Sequence, residues 1–277
     1  MAAVSVLLEL ERAVARMGAA TVLDGVSLSV ASGELVALCG PNGAGKSSAV
    51  RAALGLTPLQ SGAARLGGED VGRLSERERG ARAAYLPQER HIAWNLPAIE
   101  VAALGAPFLS GSEALERARA ALDEVDAAHL AERGVAEMSG GERARVMLAR
   151  ALVVQAPLLL ADEPIAGLDP DAQLLVLERL RRRADAGWGV LVSLHDLTLA
   201  ARAADRVVVL DAGRVVADGP PVEALSPSVL RTTFHLDGVW VDAPDGPLLA
   251  ARREAQKGQL HKPDARYRIA SITPRRW

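Results

Sequence analysis

The chain has 277 residues, of which 49 % are hydrophobic and 24 % are charged, a composition typical of one or two globular domains and not of a disordered chain. No apolar stretch reaches the roughly 18 residues that a membrane-spanning helix needs. A single cysteine, Cys39, excludes an internal disulfide and a cysteine-based zinc cluster. The first residues lack the basic segment of a signal peptide, so we expect a cytoplasmic protein.

Charge is distributed unevenly along the chain. The formal net charge is −2, but residues 252–277 contain eight basic and two acidic side chains, so this tail carries +6 and the remainder carries −8. An acidic body with only 3 % aromatic residues disfavours contacts to a nucleic-acid backbone and stacking on bases, and nucleic acid is not expected as a partner. The tail could be solvated or could lie near anionic lipid.

Hydrophobic periodicity predicts short strands first and then helices that alternate with buried strands. The predicted elements are, in chain order, strands at 6–10, 22–30 and 35–38, a helix at 46–56, a strand pair at 62–71, a helical unit at 97–133, a helix at 141–154, and strands at 158–161, 190–194 and 207–210. Strands that alternate with helices of this length indicate a parallel sheet covered on both faces, and therefore an α/β fold. A small hairpin is predicted around residues 244–246.

A phosphate-binding pattern, G-x-x-x-x-G-K-[ST], lies between a buried predicted strand and a predicted helix. Its residues are Gly40, Pro41, Asn42, Gly43, Ala44, Gly45, Lys46 and Ser47, and Ser48 follows. The glycines allow successive N–H groups to surround an anion at the positive end of the helix dipole. Lys46 would contact the β- and γ-phosphates of ATP, and Ser47 would bind Mg²⁺. A glycine-rich turn without a ligand is the alternative.

Two carboxylates, Asp162 and Glu163, follow the apolar strand 158–161. Side chains at the carboxyl end of a parallel strand face the ligand crevice of an open α/β sheet. Asp162 would therefore hold Mg²⁺ through water, and Glu163 would act as general base toward the attacking water. The alternative for this pair is a solvated turn. Cys39, beside the phosphate loop, is interpreted as a small buried hydrophobic residue and not as a redox switch.

Residues 138–142, Met-Ser-Gly-Gly-Glu, place a hydroxyl and two glycines at a predicted helix N-terminus, which makes a second anion-binding element. This segment resembles the Leu-Ser-Gly-Gly-Gln signature of the ATP-binding-cassette (ABC) family, with Met138 and Glu142 as departures. The resemblance implies that Ser139, Gly140 and Gly141 of one copy close on the γ-phosphate held by another copy.

Other motifs of the family occur in its order. Residues 85–88 resemble the Q-loop, in which Gln88 would contact Mg²⁺ and the attacking water. Residues 166–169 resemble the D-loop, which ends at Asp169 and touches the opposite subunit, and residues 194–196 resemble the switch segment, in which His195 would hold the γ-phosphate.

The resemblance covers about residues 3–235. It implies an α/β ABC ATPase with a P-loop parallel-sheet core, an antiparallel β subdomain and a small α-helical subdomain at about 95–137. Residues 1–235 would form the ATP-binding domain, and residues 236–277 a C-terminal extension with the basic tail.

One family position differs in this chain. Where the family offers an aromatic residue that stacks on adenine, the equivalent residue here is Met17. A thioether contact is weaker than base stacking, so we predict modest discrimination between ATP and GTP. Stacking of Arg16 on the base is the alternative.

A single nucleotide-binding unit without a membrane span implies a transporter ATPase. It would act as a homodimer on integral-membrane permease subunits, peripheral on the inner face of the cell membrane. The sequences at 85–105 and 219–225 look like those in ATPases of importers for iron–siderophore, haem or cobalamin. The complete import system would include a substrate-binding protein. Trp94 would be either a plug in the membrane subunit or a core residue. The alternatives are an ATPase of another importer or exporter, a mechanical ABC ATPase acting on nucleic acid or ribosomes, and a P-loop kinase.

Overall fold

The computed structural model describes residues 5–88, 94–244 and 246–253. These residues form a six-stranded sheet, a four-stranded sheet, a C-terminal hairpin and several helices. The predicted α/β class is therefore confirmed. The basic tail lies outside the described residues except for Arg252 and Arg253, and so does Asp245 of the predicted hairpin turn.

The described strands include every predicted one. In chain order they are β1 (Val6–Met17), β2 (Ala20–Ala31), β3 (Leu35–Cys39), β4 (Ser61–Leu66), β5 (Glu69–Asp70), β6 (Ala83–Leu86), β7 (Leu158–Ala161), β8 (Gly189–Ser193), β9 (Arg206–Asp211), β10 (Arg214–Gly219), β11 (Leu236–Val241) and β12 (Leu248–Arg253). Strands β1 and β2 each have 12 residues and are longer than predicted. Strands β6 and β10 were not predicted.

The helices of the described residues begin, in many cases, at a side chain that caps them. In chain order they are α1 (Lys46–Ala53), α2 (Glu76–Arg82), α3 (Ala98–Ala103), α4 (Gly111–Glu124), α5 (Gly140–Leu152), α6 (Pro170–Asp185), α7 (Leu197–Ala203), α8 (Pro221–Ala224) and α9 (Pro227–Phe234). Helix α1 is shorter than the predicted 46–56. Gly55 takes a positive φ of 70° and the N–H of Leu56 bonds back to Arg51 O, which ends the helix before Pro58 is reached.

The central sheet has the strand order β10-β9-β3-β8-β7-β6. Its five strands from β9 to β6 are parallel, as predicted, and all five residues of β3 are buried. Strand β10 instead runs antiparallel to β9. The two residues between them, Ala212 and Gly213, both have positive φ, which is the geometry of a tight two-residue hairpin turn.

The four-stranded antiparallel sheet has the order β2-β1-β4-β5 and packs on one face of the central sheet. Between the two sheets, apolar residues of β1, β2 and β3 form a core with the buried face of α1. Strand β1 bends at Arg12, which has a positive φ of 44°. Gly62 fits opposite this bend because a Cβ there would lie 2.4 Å from Arg12 O. The expected antiparallel β subdomain is thus present.

Helices α3, α4 and α5 pack together on the opposite face, where a second apolar core extends to α6 and α7. Two ion pairs join this group to α6: Arg179 Nη2 lies 2.5 Å from Asp126 Oδ2, and Arg183 Nε lies 2.7 Å from Glu124 Oε1. Trp94, which precedes these helices, is 73 % exposed. The interpretation of Trp94 as a core residue is therefore wrong, because its ring does not enter either apolar core.

Strands β11 and β12 form the predicted C-terminal hairpin. Trp240 Nε1 donates to Leu225 O at 2.9 Å, and the N–H of Leu249 donates to Thr198 Oγ1 at 3.2 Å. These bonds attach the hairpin to the end of α8 and to α7. None of the helices in the described ranges is both long and apolar enough to cross a membrane.

Candidate nucleotide site

Four adjacent strands of the central sheet end at one edge. Strand β3 leads into the phosphate loop, β8 leads to His195, β7 leads to Asp162 and Glu163, and β6 leads to Gln88. Because all four strands are parallel, their carboxyl ends carry these side chains to the same crevice. The topology thus assembles residues that lie far apart in the sequence.

The phosphate loop is held closely by its neighbours. A Cβ on Gly40 would lie 2.2 Å from Leu210 O, and one on Gly45 would lie 2.5 Å from Val22 O. Gly43 and Gly45 have positive φ values of 82° and 103°, so the loop needs glycine for its conformation as well as for space. The loop encloses a cavity of about 210 Å³, which is lined by Val22, Asn42, Gly43, Ala44, Gly45, Lys46, Ser47, Ser48 and Glu163.

Lys46 is 5 % exposed at the start of α1. Its Nζ donates to Gly40 O at 2.8 Å and to Pro41 O at 3.2 Å, so these two residues support the lysine and do not line the cavity. Burial lowers the pKa of Lys46, while the negative charge of Glu163 opposes the shift. Burial also raises the pKa of Cys39 to about 12, which agrees with its interpretation as an inert buried thiol.

Asp162 is fully buried beside the loop. Its Oδ1 accepts hydrogen bonds from Ser47 Oγ at 3.1 Å and from Ser193 Oγ at 2.7 Å. Its Oδ2 has no hydrogen-bond partner within the described part of the chain. A buried carboxylate oxygen left over next to a hydroxyl fits a hard cation, because Mg²⁺ binds oxygen ligands and commonly takes only one or two from protein, with phosphates completing its shell. The residues present therefore fit Mg²⁺.

Glu163 contacts both of the other predicted catalytic residues, Gln88 and His195. Gln88 Nε2 donates to Glu163 Oε2 at 2.7 Å, and His195 Nε2 contacts Glu163 Oε1. Glu163 has a positive φ of 47°, a costly conformation for a residue other than glycine, and one that is common at functional sites. The predicted trio of Gln88, Glu163 and His195 therefore lies together beside Lys46.

Ser193, which the sequence analysis missed, connects the two carboxylate residues. Its hydroxyl donates to Asp162 Oδ1 at 2.7 Å and accepts from the backbone N–H of Glu163 at 2.7 Å. Ser193 is fully buried at the end of β8. The available signal was a single polar residue that ends an apolar strand directly before the predicted switch segment.

The signature segment lies at the exposed N-terminus of α5. Glu142 completes a capping box there: its N–H donates to Ser139 Oγ at 3.2 Å, and its carboxylate accepts from the N–H of Ser139 at 2.8 Å. These bonds lower the pKa of Glu142 and explain the acidic residue at this position. Gly141 allows a close approach to α6, since a Cβ would lie 3.2 Å from that of Ala172.

Several predicted nucleotide contacts do not line the phosphate cavity of the described chain, namely Met17, Ser139, Gly140, Gly141 and Asp169. Asp169 caps α6, accepting from the N–H of Ala172 at 2.9 Å. Met17 ends β1 and is 57 % exposed. The guanidinium of Arg16 donates to Ala19 O at 2.7 Å. Because these residues lie outside the cavity, they would contact the adenine base or a second copy of the chain at the protein surface.

Comparison with known proteins decides the family. The family described as "ABC transporter" matches residues 23–166, which contain the phosphate loop, the signature segment and Glu163. The chain belongs to this family. It is therefore an ATP-binding and ATP-hydrolysing subunit of a transporter, as the motifs predicted, and the P-loop kinase alternative is wrong.

Relatives of similar length support this membership. The hemin import ATP-binding protein HmuV of Bradyrhizobium diazoefficiens is 42 % identical over 250 residues, covering 87 % of this chain and 93 % of the relative. The protein of the same name from Streptomyces coelicolor is 45 % identical over 222 residues, covering 79 % of each chain.

Solved structures agree on the fold. An ATP-binding subunit of an ABC transporter is 33 % identical with a TM-score of 0.70, covering 81 % of this chain and 92 % of that one. The ATP-binding cassette MJ0796, solved as a dimer in a post-hydrolysis state with ADP and Pi, is 26 % identical with a TM-score of 0.70, covering 78 % of this chain and 99 % of that one. The predicted ABC cassette fold is confirmed.

Proposed function

We propose that this ABC subunit powers the import of haem through a separate membrane permease. The observation that carries the ATPase part is the joint placement of Gln88, Glu163 and His195 beside the phosphate loop. The names of the relatives, hemin import ATP-binding proteins at 38–45 % identity, support haem over the iron–siderophore and cobalamin alternatives.

The nucleotide is bound by residues of two copies. Residues 42–48 of the loop 40–48 hold the triphosphate of ATP, with Lys46 against the β- and γ-phosphates, while Gly40 and Pro41 support Lys46. Met17 contacts the base. Segment 139–141 and Asp169 of a second copy complete the site, since Ser139, Gly140 and Asp169 are exposed and the whole set lies outside the cavity of its own copy. The functional unit is therefore a homodimer with two sites.

Ser47, Asp162 and Gln88 would hold Mg²⁺, directly or through water. When bound, this ion neutralises the developing charge on the phosphate oxygens. Ser193 fixes the Asp162 carboxylate for this role through its 2.7 Å hydrogen bond.

Glu163 removes a proton from the attacking water. As the water oxygen bonds to the γ-phosphorus, the bond from that phosphorus to the bridging oxygen of ADP breaks, and ADP and phosphate result. His195 holds the γ-phosphate and the water in line. The hydrogen bond from Gln88 to Glu163 Oε2 connects the position of the general base to the segment that follows β6.

Permease subunits anchor the protein at the inner face of the cell membrane, and a substrate-binding protein delivers cargo to them. Residues 1–235 act as the ATP-binding domain with its helical subdomain at about 95–137, and 236–277 as an extension. The exposed Trp94 and the adjoining helices α3 to α5 form the permease-facing surface.

Two measurements test this function. Affinity purification of the Glu163→Gln protein from its own membranes with ATP and Mg²⁺ should recover a polytopic permease, whereas recovery of ribosomes or nucleic acid alone would overturn the transport function. A strain that lacks the gene should fail to grow on haem as its sole iron source. The wild-type gene, but not the Glu163→Gln variant, should restore growth, and normal growth of the deletion strain on haem would refute the cargo assignment.

A further inference from the structure

The outward face of the C-terminal hairpin is apolar. Val239 of β11 pairs with Ala250 of β12, and Val241 pairs with Leu248. Partners in an antiparallel pair lie on the same face of the sheet, so these four side chains are neighbours. Val239, Val241 and Leu248 are 58 %, 48 % and 42 % exposed. Adjoining exposed apolar side chains indicate an interaction surface, whereas single scattered ones are ordinary.

The opposite face of the hairpin is attached to the cassette, so the apolar face has a fixed position. Trp240 Nε1 donates to Leu225 O at 2.9 Å, and the N–H of Leu249 donates to Thr198 Oγ1 at 3.2 Å. Thr198 lies in the first turn of α7, three residues after His195. A segment seated on the apolar face therefore contacts an element that is bonded to the helix beside the nucleotide site.

Charge favours the segment that follows β12 as the occupant of this face. Residues 254–277 contain six basic and two acidic side chains, a net charge of +4, which leaves −6 for residues 1–253. Asp242, directly after Val241, is exposed and pairs with no cation in the part of the chain that the structure describes. The opposite net charges attract the segment to the cassette.

The sequence of the same segment matches an apolar sheet face. Tyr267 and Ile269 alternate with Arg266 and Arg268, which is typical of an extended strand with one apolar and one basic side. Only 13 residues separate Tyr267 from Arg253, the last residue of β12. A short linker gives the segment an effective concentration of about 1 mM at the hairpin, so even a weak contact keeps it in place.

We propose that residues 254–277 dock on the outward face of the hairpin, with Tyr267 and Ile269 against the apolar side chains of β11 and β12. The segment then covers the exposed apolar surface, and its basic side adds attraction to the acidic cassette. This inference does not depend on the cargo or on the permease, since it needs only the hairpin and the residues that follow it. A second copy of the chain and a lipid surface are the competing occupants.

A photo-cross-linker in place of Tyr267 tests the docked position in the full chain. The side chain of p-benzoylphenylalanine keeps an aromatic ring there and reacts with C–H bonds that it touches. Mass spectrometry should locate the links in β11 or β12 of the same chain. A mixture of isotope-labelled and unlabelled protein distinguishes links within one chain from links between copies, and links that join two copies would overturn the proposal in favour of a second copy on this face.

A synthetic peptide of residues 254–277 measures the strength of the contact. The full-length Tyr267→Ser/Ile269→Ser variant leaves the face open and should bind this peptide with a Kd of about 0.1 mM or tighter, tenfold below the effective concentration in the chain. Wild-type protein should bind it about tenfold more weakly, because its own segment competes. Equal and weaker binding by both proteins would show that the face has no affinity for the segment.

Serine substitutions on the hairpin test the apolar contact. Added to the open variant, Val239→Ser/Val241→Ser should weaken peptide binding at least about tenfold, because two apolar side chains are lost from the interface. The matched control is Val216→Ser/Val222→Ser, which changes two similarly exposed valines of β10 and α8 outside the hairpin and should leave peptide binding unchanged. None of the four valines lines the phosphate cavity, so retained ATP binding shows that the variants fold.

Two further outcomes would overturn the proposal. If position 267 forms no link to the hairpin while the wild-type protein binds phosphatidylglycerol vesicles through residues 254–277, the segment lies on lipid. If the links are spread over the cassette surface and persist in the Val239→Ser/Val241→Ser variant, the segment is solvated. Either result leaves the proposed transport function in place, since that function is tested by recovery of a permease.

Discussion

The side-chain amide of Gln88 donates a 2.7 Å hydrogen bond to Glu163 Oε2. His195 contacts the other oxygen of the same carboxylate, so two loops from the ends of β6 and β8 engage the proposed general base. Each carboxylate oxygen has one such contact and keeps a lone pair with which it can accept a proton from water. The orientation of the base therefore depends on both the segment that carries Gln88 and the segment that carries His195.

Replacing Glu163 with Gln should separate ATP binding from hydrolysis. Because a general base contributes about 10²–10⁴-fold to rate, turnover should fall by this factor while ATP binding and ATP-dependent dimerisation persist. Phosphate release and size-exclusion chromatography with ATP measure the two properties. Wild-type turnover in this variant would show that another group removes the proton.

Removing the hydroxyl of Ser193 should damage both stability and catalysis. The Ser193→Ala variant loses the hydrogen bonds of this hydroxyl to the N–H of Glu163 and to Asp162 Oδ1, which costs about 1–3 kcal/mol in the free energy of unfolding. It also leaves the Asp162 carboxylate with Ser47 as its one remaining hydrogen-bond donor of the two, so kcat should fall by a larger factor than the affinity for ATP. Ser112→Ala, at an exposed position of α4, is the control for denaturant unfolding and steady-state kinetics. Equal stability and kcat in both variants would contradict this role.

ATP binding should weaken at alkaline pH before an ordinary lysine loses its proton. Burial lowers the pKa of Lys46 from 10.5, so between the lowered pKa and 10.5 the free site has lost its ammonium charge. The dissociation constant of ATP should rise with pH across this interval. Lys46→Arg keeps a charge there and should give a flat profile, and Lys46→Ala should bind nucleotide poorly at every pH. A wild-type constant that is level up to pH 10.5 would refute this prediction.

The same shift affects folding. In this interval the unfolded chain still binds a proton that the folded chain has lost. The contribution of Lys46 to the free energy of unfolding of the ATP-free protein therefore increases with pH until 10.5 is passed.

Met17 should make the protein tolerant of the nucleotide base. Wild type should hydrolyse GTP within about tenfold of ATP at equal concentration, because a thioether contact contributes only about 0.3–1.5 kcal/mol. Met17→Tyr should tighten ATP and GTP alike by about 1 kcal/mol, since an aromatic ring stacks on any base. Arg16→Ala should change neither affinity. A large loss in that variant would instead favour stacking of the arginine.

The pair between Asp126 and Arg179 should be a main attachment of the helical group to α6. Arg179 is 8 % exposed, and its Nε has no hydrogen-bond partner in the described structure. Asp126→Ala should therefore cost about 1–3 kcal/mol, because a nearly buried cation loses its carboxylate. Glu113→Ala, which removes the half-exposed partner of Arg117, should cost less than about 1 kcal/mol. Denaturant unfolding measures the loss in free energy of unfolding for both variants. Equal losses would show that the Asp126–Arg179 pair contributes no more than the surface pair.

Much of the site could be predicted because its motifs have a local physical cause. The phosphate loop needs glycine at fixed positions, and Asp162 follows an apolar strand that can only be interior. Ser193 was missed because its hydrogen bond to Asp162 depends on β8 lying beside β7. The order of strands in a sheet cannot be read from the local sequence of either strand. Strand β6 was missed since it begins with two alanines and lacks the run of leucines that marks the equally short β7. The end of α1 was misplaced because Gly55 was overlooked as a helix terminator.

The position of β3 has a consequence for synthesis of the protein. Leu35 pairs with Val190, and Val36 pairs with Arg206, so the strand that carries the phosphate loop has neighbours from the far end of the cassette. A nascent chain displays the whole nucleotide-binding motif long before those neighbours leave the ribosome. Until then, the five apolar residues of β3 have no sheet to enter and are a natural target for chaperones and proteases. The phosphate loop is therefore fixed in its sheet only after synthesis has passed β9.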